Sequence, residues 1–419
     1  MAEAEAVDVA IVGAGPAGLG AAIALRRQGV ARVLVLEREA KAGGVPRHCG
    51  HPPFGLREFG RILTGPAYAR RLVERAQAAG AAVRCGSSVV AIGPGARLSV
   101  TGPEGPAEIV ARRAVLATGV RESSRHARLI SGDRPIGVLT TGTLQAMVHL
   151  HGLIPFARPV IVGTELVALS SLMTCRKAGI RPVAMLEAAS HPTARAPFLL
   201  YPRLLGIPVY YDMSLVEIRG QPRVEAVSVR GPDGAERALA CDGVLLTGRF
   251  VPEATLARMG PLEVDPGSGG PVVDQHGRCS DPAWFAAGNL LRPVETAGWS
   301  FREGMRIGGA VAADLTGRLR SNGPCAQVRR GAGLKLVVPQ RLALPMDGQG
   351  LDSLQLRVAE PVAGELRVLA DGRLVWRRRV QLWPERRALV PLTDLRLPDT
   401  TRMVEIDLTQ SPKAVLAGI

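Results

Sequence analysis

VDVAIVGAGPAGLGAAIALRRQG, residues 7–29, is the stretch that decides the fold. It starts with a mostly apolar, β-branched run that predicts a strand, and a turn with three spaced glycines follows. Alanine and leucine dominate the remainder, which predicts a helix that ends at Gly29 as its C-cap. A second apolar strand, Val33–Leu36, follows at once and ends in Glu37. This order of strand, turn, helix and strand predicts a βαβ unit in a parallel sheet.

The three glycines, Gly13, Gly15 and Gly18, have the spacing of a dinucleotide-binding turn. Gly13 permits the tight turn, Gly15 lets the backbone approach a pyrophosphate, and Gly18 lets the helix pack closely on the strand. The N-terminus of the helix offers amide hydrogens and a positive dipole end to the phosphates. Glu37 can accept hydrogen bonds from both ribose hydroxyls, so we expect FAD or NAD as the ligand, and not NADP. A buried turn without a ligand is the alternative.

The same order of elements returns after Pro159 and predicts a second nucleotide-binding domain. Its predicted strand, helix and strand lie at about residues 160–162, 166–178 and 182–186. The glycine loop reads GTELVA, residues 163–168, so Glu165 stands where the backbone has to touch a pyrophosphate. Its side chain and charge oppose binding, whereas Ala168 and Glu187 fit an NADH site. Two hypotheses therefore stay open: a domain kept for packing, docking or electron transfer, and a site that binds NADH.

The 419 residues suffice for several domains. Alternating segments between residues 215 and 240 predict a small antiparallel meander, and short alternating runs after Pro324 predict an appended β domain. The predicted fold class is α/β, with two Rossmann-like (three-layer ββα) dinucleotide-binding domains, the second inserted in the first, and a small C-terminal all-β domain. The predicted boundaries are 1–122 and 243–325 for the first domain, 123–242 for the inserted domain and 326–419 for the C-terminal domain.

Composition excludes several classes of function. The net charge is +15, but only four of the 52 basic residues are lysines, the arginines are scattered, and aromatic residues make up 4%. This favours a protein that does not bind nucleic acid. The six cysteines form no CxxC pair, which predicts neither structural disulfides, nor a metal site, nor an iron–sulfur cluster held by this chain. The acidic start and the lack of a long apolar run predict a cytoplasmic protein without a signal peptide or a membrane span.

Residues 1 to about 320 resemble the pyridine nucleotide-disulfide oxidoreductase type of flavoprotein, which has two dinucleotide-binding domains. The first glycine loop, the ATG segment at 117–119, the DGVLLTGR segment at 242–249 and the FAAGN segment at 285–289 carry the resemblance, in the family's order. Asn289 stands where the family usually has an aspartate. The resemblance implies that the N-terminus of a helix from about Phe301 to Leu315 points at the flavin.

The resemblance also implies which residues bind the FAD. They are Gly13, Gly15, Pro16, Ala17, Gly18, Glu37, Arg38, Gly44, Val89, Ala117, Thr118, Gly119, Gly288, Asn289, Thr296 and Ala297. In the same family, a helical N-terminus near the flavin stabilises its anionic reduced form.

The loop AGGVPRHCGHPPFG, residues 42–55, lies where disulfide members of the family have a Cys-x4-Cys pair. Those two places fall on Pro46 and His51, so a redox disulfide is excluded. Cys49 is flanked by His48 and His51, and cationic neighbours are expected to lower the pKa of its thiol. Cys49, His48 and His51 are therefore the candidate catalytic residues, with a small buried cysteine and two scaffold histidines as the alternative.

The loop motifs further resemble flavin subunits that accompany amine, amino-acid or glycerol-phosphate dehydrogenases. The resemblance implies an FAD-dependent, electron-transferring oxidoreductase subunit whose partner is a dehydrogenase or iron–sulfur protein. One alternative is an autonomous NADH-dependent reductase or oxidase with a non-disulfide acceptor. The other is a non-catalytic docking subunit that FAD stabilises. The substrate stays open at this point.

Overall fold

A computed structural model describes residues 4–319 and 325–410 of the chain. The strands are β1 (Glu5–Val12), β2 (Val33–Leu36), β3 (Ala82–Arg84), β4 (Ser88–Gly93), β5 (Arg97–Gly102), β6 (Gly105–Leu116), β7 (Val120–Glu122), β8 (Ser131–Gly132), β9 (Val138–Thr140), β10 (Pro159–Val162), β11 (Ala184–Leu186), β12 (Val209–Tyr210), β13 (Ser214–Arg219), β14 (Ala226–Arg230), β15 (Glu236–Ala240), β16 (Gly243–Leu246), β17 (Phe250–Pro252), β18 (Trp284–Ala286), β19 (Cys325–Arg330), β20 (Leu334–Val338), β21 (Arg341–Ala343), β22 (Ser353–Val358), β23 (Val362–Ala370), β24 (Arg373–Leu382), β25 (Ala388–Pro391) and β26 (Met403–Gln410). The α-helices are α1 (Pro16–Arg27), α2 (Leu56–Phe59), α3 (Gly65–Ala78), α4 (Thr141–His151), α5 (Leu166–Lys177), α6 (Leu200–Leu204), α7 (Thr255–Met259) and α8 (Ala297–Leu315).

The first sheet has the strand order β3-β2-β1-β6-β5-β4. Strand β18, which comes much later in the sequence, also pairs with β6. β1, β2, β3, β6 and β18 are parallel, whereas β4 and β5 extend the sheet in antiparallel pairs. Helix α1 packs very closely on α8, since a Cβ at Gly304 would lie 2.0 Å from the carbonyl oxygen of Ala17. The carboxyl ends of β1, β2, β6 and β18 therefore meet at one edge, where such folds bind ligands.

The second sheet, β12-β11-β10-β16-β9, is parallel throughout. In the sequence, the second sheet lies between the two parts of the first domain. Strands β7 and β17, which precede and follow the second sheet in the sequence, form an antiparallel pair. The predicted meander is present as β13, β14 and β15. The predicted boundary between residues 242 and 243 is wrong, because β16 pairs with β10 and β9 inside the second sheet.

The C-terminal strands form two sheets, β21-β19-β26-β23-β24 and β20-β22-β25, without an α-helix among residues 325–410. Both sheets share one apolar core, which includes Leu342, Leu356 and Ile406. Leu336 and Val338 of β20 pack instead into the core of the first domain. The α/β fold class with two dinucleotide-binding domains and a C-terminal β part is thus confirmed, while residues 411–419 of the predicted last domain lie outside the described residues. Within the described part, no helix is both long and apolar enough to cross a membrane.

Candidate functional site

The first glycine loop, residues 13–18, lies at the carboxyl end of β1. Gly13 has a φ of +105°, and a Cβ there would lie 2.5 Å from the carbonyl oxygen of Ala117. A Cβ at Gly18 would lie 1.9 Å from the carbonyl oxygen of Gly13, so both positions require glycine for packing. A Cβ at Gly15, by contrast, would have only the Cα of Gly44 within 4 Å among the described residues, at 3.9 Å. The backbone at Gly15 is therefore open to a ligand, at the N-cap of α1.

Glu37 lies at the end of β2 and is 7% exposed. Its carboxylate accepts hydrogen bonds from the backbone N–H groups of Ala14 and Glu39, each at 3.0 Å. These bonds fix the carboxylate beside the glycine loop, where a ribose of a bound dinucleotide would be recognised. Arg38 is exposed and forms a 3.8 Å ion pair with Glu39. The position of Arg38 thus gives its predicted binding role no support.

Ala117, Thr118 and Gly119 follow β6 at the same edge of the sheet. The hydroxyl of Thr118 donates to the carbonyl of Glu253 at 2.8 Å. Gly288 follows β18, and a Cβ there would lie 2.6 Å from the Cβ of Ala17. These predicted residues are brought together around the first glycine loop. Val89 lies apart from them on β4, the edge strand of the sheet, and is half-buried against the first core.

The side chain of Asn289 is used within its own loop. Its amide donates to the carbonyl of Glu295 at 3.1 Å, and the N–H of Glu295 donates back to its carbonyl oxygen at 2.7 Å. An aspartate could make only the second of these bonds, because it has no N–H to donate. Thr296 is the N-cap of α8, which begins at Ala297. The predicted start near Phe301 is therefore four residues too late.

Cys49 ends a 3₁₀ turn at Val45–His48 and is 8% exposed. Its Sγ lies 3.5 Å from the carbonyl oxygen of Val45 and 3.5 Å from Oε1 of Gln145 on α4. Burial, and secondarily the nearby Glu122, raise the pKa of the Cys49 thiol to about 12. The expected lowering of this pKa is wrong, because burial disfavours the charged thiolate, and the thiol is protonated at neutral pH.

The two candidate histidines differ in environment. Nε2 of His48 is buried and has no hydrogen-bond partner in the described part of the chain. Burial, and then Arg47 and His149, lower the pKa of His48 to about 4, so its imidazole is neutral at pH 7. His51 is half-buried, and its Nδ1 lies 2.9 Å from the carbonyl oxygen of Pro52. Among the described residues, no group of three or more His, Cys, Asp or Glu side chains could hold a metal ion.

The second glycine loop, residues 163–168, has the backbone of the first. The N–H of Gly163 donates to the carbonyl of Leu186 at 2.8 Å, just as that of Gly13 donates to Leu36 at 2.8 Å. Glu187 accepts a hydrogen bond from the N–H of Ala189 at 3.1 Å, just as Glu37 accepts one from the N–H of Glu39. Its other carboxylate oxygen accepts from the Thr164 hydroxyl instead of a loop amide. The second domain therefore keeps the architecture of a nucleotide site.

The side chain of Glu165 fills the second loop. A Cβ at Gly163 would lie 2.4 Å from its Oε2, and a Cβ at Gly248 would lie 2.3 Å from its Oε1. The hydroxyl of Thr247 donates to Oε2 at 2.7 Å. Burial raises the pKa of Glu165, and Glu187 raises it further. The carboxyl group of Glu165 thus lies against Gly163 and Gly248 in the second loop, whereas Gly15 carries no side chain at the corresponding position of the first loop.

Glu122, which belongs to none of the sequence motifs, lies at the junction of the two domains. Its carboxylate accepts from the N–H groups of Gly142 at 2.8 Å and Gly248 at 3.2 Å. Burial raises its pKa. The partners of Glu122 lie 20 and 126 residues away in the sequence, so no local pattern could have identified it.

The raised pKa of Glu165 predicts a pH-dependent cost to stability. Because the folded chain holds the proton more tightly than the unfolded chain, stability is lost as the pH rises through the folded pKa. We expect Glu165→Gln to raise the unfolding temperature by about 2 °C at pH 8 and by less at pH 4, since glutamine keeps the hydrogen bond without titrating. Thermal unfolding at both pH values checks this, with exposed Glu104→Gln as the control. An equal shift at both pH values would contradict the assignment.

A model of the family described as "Pyridine nucleotide-disulphide oxidoreductase" matches residues 7–306. An opine oxidase subunit from Agrobacterium tumefaciens (strain Ach5) is 28% identical over 376 residues, which are 80% of this chain and 67% of the relative. The corresponding subunit from Rhizobium meliloti (strain 1021) is 30% identical over 184 residues, or 44% of this chain and 39% of the relative. The crystal structure of T. acidophilum thioredoxin reductase superposes with a TM-score of 0.64 at 21% identity, over 74% of this chain and 99% of that one.

Proposed function

Because the chain belongs to the pyridine nucleotide-disulphide oxidoreductase family, we propose that it is an FAD-dependent oxidoreductase and the electron-transferring flavin subunit of a dehydrogenase complex. One contrast carries the proposal: the first glycine loop is open at Gly15, whereas Glu165 fills the second. FAD would then be the redox group of this chain. Its electrons would come from a partner subunit or a substrate, and not from NADH.

The residues of the first site fit FAD. The open backbone at Gly15 and the N-terminus of α1 would hold the pyrophosphate, and Glu37 would hold the adenosine ribose. Gly288 and the first turn of α8 complete the edge at which the cofactor would lie. Bound FAD would supply the chemistry, since a flavin takes up two electrons together or singly and passes them on.

The loop at residues 42–55 supports electron transfer without thiol chemistry. Cys49 has no partner cysteine in its loop, and its thiol is protonated at neutral pH. His48 is neutral, so its buried Nε2 can hold or accept a single hydrogen bond without adding charge. The chain's own part would therefore be to bind and orient the flavin and to exclude water from it.

The partner is inferred from the relatives. Two curated relatives are named as subunits of opine oxidases, and the matched part spans 67% of one and 39% of the other. We propose that this chain likewise acts within a complex and that the complex oxidises an amino-acid derivative. The autonomous NADH-dependent reductase is the competing proposal, favoured by the intact position of Glu187.

The first test is the flavin content of the purified chain. We expect about one FAD per chain, and Cys49→Ser should leave both the flavin content and the rate of electron transfer unchanged, because the thiol takes no part. A folded chain that binds no FAD when FAD is supplied would overturn the proposal. Loss of electron transfer in Cys49→Ser at full flavin content would restore a redox role for the cysteine.

A further inference from the structure

We propose that Arg357 and Arg387 of the C-terminal β part are positioning residues of the FAD site, on which they act through Glu295. This inference rests on the proposed FAD site and adds a second layer to it. It gives the C-terminal strands a role in cofactor binding, although they lie outside the 7–306 range of the family match.

The chain of contacts starts at Asn289, next to Gly288 at the end of β18. Its side chain forms two hydrogen bonds with the backbone of Glu295, so residues 289–295 close into a loop. α8 begins two residues after Glu295, at Ala297. A displacement of Glu295 therefore moves both Asn289 and the N-terminus of α8, the two elements that would flank the cofactor.

Glu295 is anchored by arginines that come from the C-terminal strands. Its side chain is 4% exposed, and each carboxylate oxygen pairs with one arginine. Oε1 accepts from Arg357 on β22, and Oε2 accepts from Arg387, which precedes β25. Removing either arginine leaves one buried carboxylate oxygen of Glu295 without its partner, which is unfavourable.

Arg387 also contacts the first turn of α8. Its guanidinium carbon lies 3.5 Å from the centre of the Trp299 ring, and that of Arg302 lies 4.3 Å from the same ring. Both distances are within the range of cation–π attraction. Arg387 thus contacts the closed loop and the helix start together, and fixes one relative to the other.

A second carboxylate, that of Glu303, connects β22 to Gly288. Glu303 of α8 accepts from the N–H of Gly288 at 2.7 Å and forms an ion pair of 2.6 Å with buried Arg292. Nε2 of Gln355 on β22 donates to Glu303 at 3.2 Å. Gln355 and Arg357 lie two positions apart on β22, so one strand contacts both carboxylates that support Gly288 and Asn289.

The cluster carries more positive than negative charge. Glu58 adds a third carboxylate at the start of α8, since a Cβ at Gly298 would lie 2.4 Å from its Oε1. Four arginines stand against these three carboxylates in the described part of the chain: Arg292, Arg302, Arg357 and Arg387. The surplus lies at the N-terminus of α8, where it adds to the positive end of the helix dipole. It should favour an anionic cofactor and, more strongly, its reduced state.

The test uses two substitutions, Arg387→Met and Arg357→Met. The side chain of Arg387 is 22% exposed, whereas that of Arg357 is buried. Arg329→Met is the matched control, because Arg329 pairs with Glu405 at the exposed surface of the same part of the chain. For each protein we would measure the dissociation constant of FAD, the midpoint potential of the bound flavin and the unfolding temperature without flavin. The midpoint potential reports on the charge near the flavin. A general loss of stability would leave this potential unchanged.

We expect Arg387→Met to weaken FAD binding about tenfold, since Glu295 and the start of α8 are then held less firmly in place, and to move the midpoint potential to more negative values. Arg387→Lys should restore most of the potential. An FAD affinity and potential equal to those of Arg329→Met would overturn the inference, and Arg387→Met decides this even if Arg357→Met does not fold. If the unsubstituted chain binds no FAD, the proposed function itself fails, which is a separate result.

Discussion

Gly15→Glu is expected to weaken FAD binding roughly a thousandfold in a chain that still folds. The N-cap of α1, Gly15, has φ −79° and ψ −177°, and the N-cap of α5, Glu165, has φ −69° and ψ 168°, so a glutamate fits the backbone of the first loop. The new carboxylate would occupy the space for the pyrophosphate. Repulsion between two charges about 4 Å apart is worth about 4 kcal/mol at an effective dielectric constant of 20, which corresponds to roughly a thousandfold loss of affinity.

Flavin absorbance and a titration of the apoprotein with FAD measure this effect. Gly309→Glu is the control, since a Cβ at Gly309 on α8 meets nothing within 4 Å among the described residues and the position is remote from the loop. The unfolding temperature of Gly15→Glu without FAD should match that of the control. Full retention of FAD by Gly15→Glu would show that the cofactor is bound somewhere other than the first loop.

The reverse substitution, Glu165→Gly, is expected to open the second loop to NADH. It removes the carboxyl group from the space above Gly163 and Gly248, and the Thr247 hydroxyl keeps its second bond, to the carbonyl of Val162 at 2.8 Å. Because the side chain no longer fills the space that a pyrophosphate needs, NADH binding should tighten at least about a hundredfold. NADH should then bleach the flavin band under anaerobic conditions.

Glu165→Gln is the matched control for this prediction, because it removes the charge and keeps the bulk. We expect it to leave NADH binding weak, since the side chain still fills the loop. If Glu165→Gly also fails to bind NADH while it folds normally, then Glu165 is not the barrier, and the positions of Thr164 and Glu187 have to explain the closed site.

The parts of the fold and site that could be predicted from the sequence are local. The order strand, glycine turn, helix, strand and acidic residue lies within about thirty residues, and it correctly predicted the two nucleotide-type sheets. That Glu165 opposes a nucleotide in the second loop stays a prediction. The β-rich C-terminal part could be predicted because alternating patterns also report on single strands.

The rest depends on contacts between residues far apart in the sequence. Cys49 is buried partly by Gln145, 96 residues further on, so the flanking histidines suggested the wrong direction for the pKa of its thiol. Glu295 meets Arg357 and Arg387 at separations of 62 and 92 residues. The boundary near residue 243 was misplaced because the motif marks the return to the first domain, while its strand still pairs inside the second sheet.

The decisive measurement is the visible spectrum of the purified wild-type protein, recorded under anaerobic conditions before and after addition of NADH. We predict an oxidised flavin band that sub-millimolar NADH leaves unchanged, because the first loop holds FAD and Glu165 closes the second. Bleaching of that band by NADH would contradict the proposed roles of the two loops and would make the chain an autonomous NADH-dependent reductase.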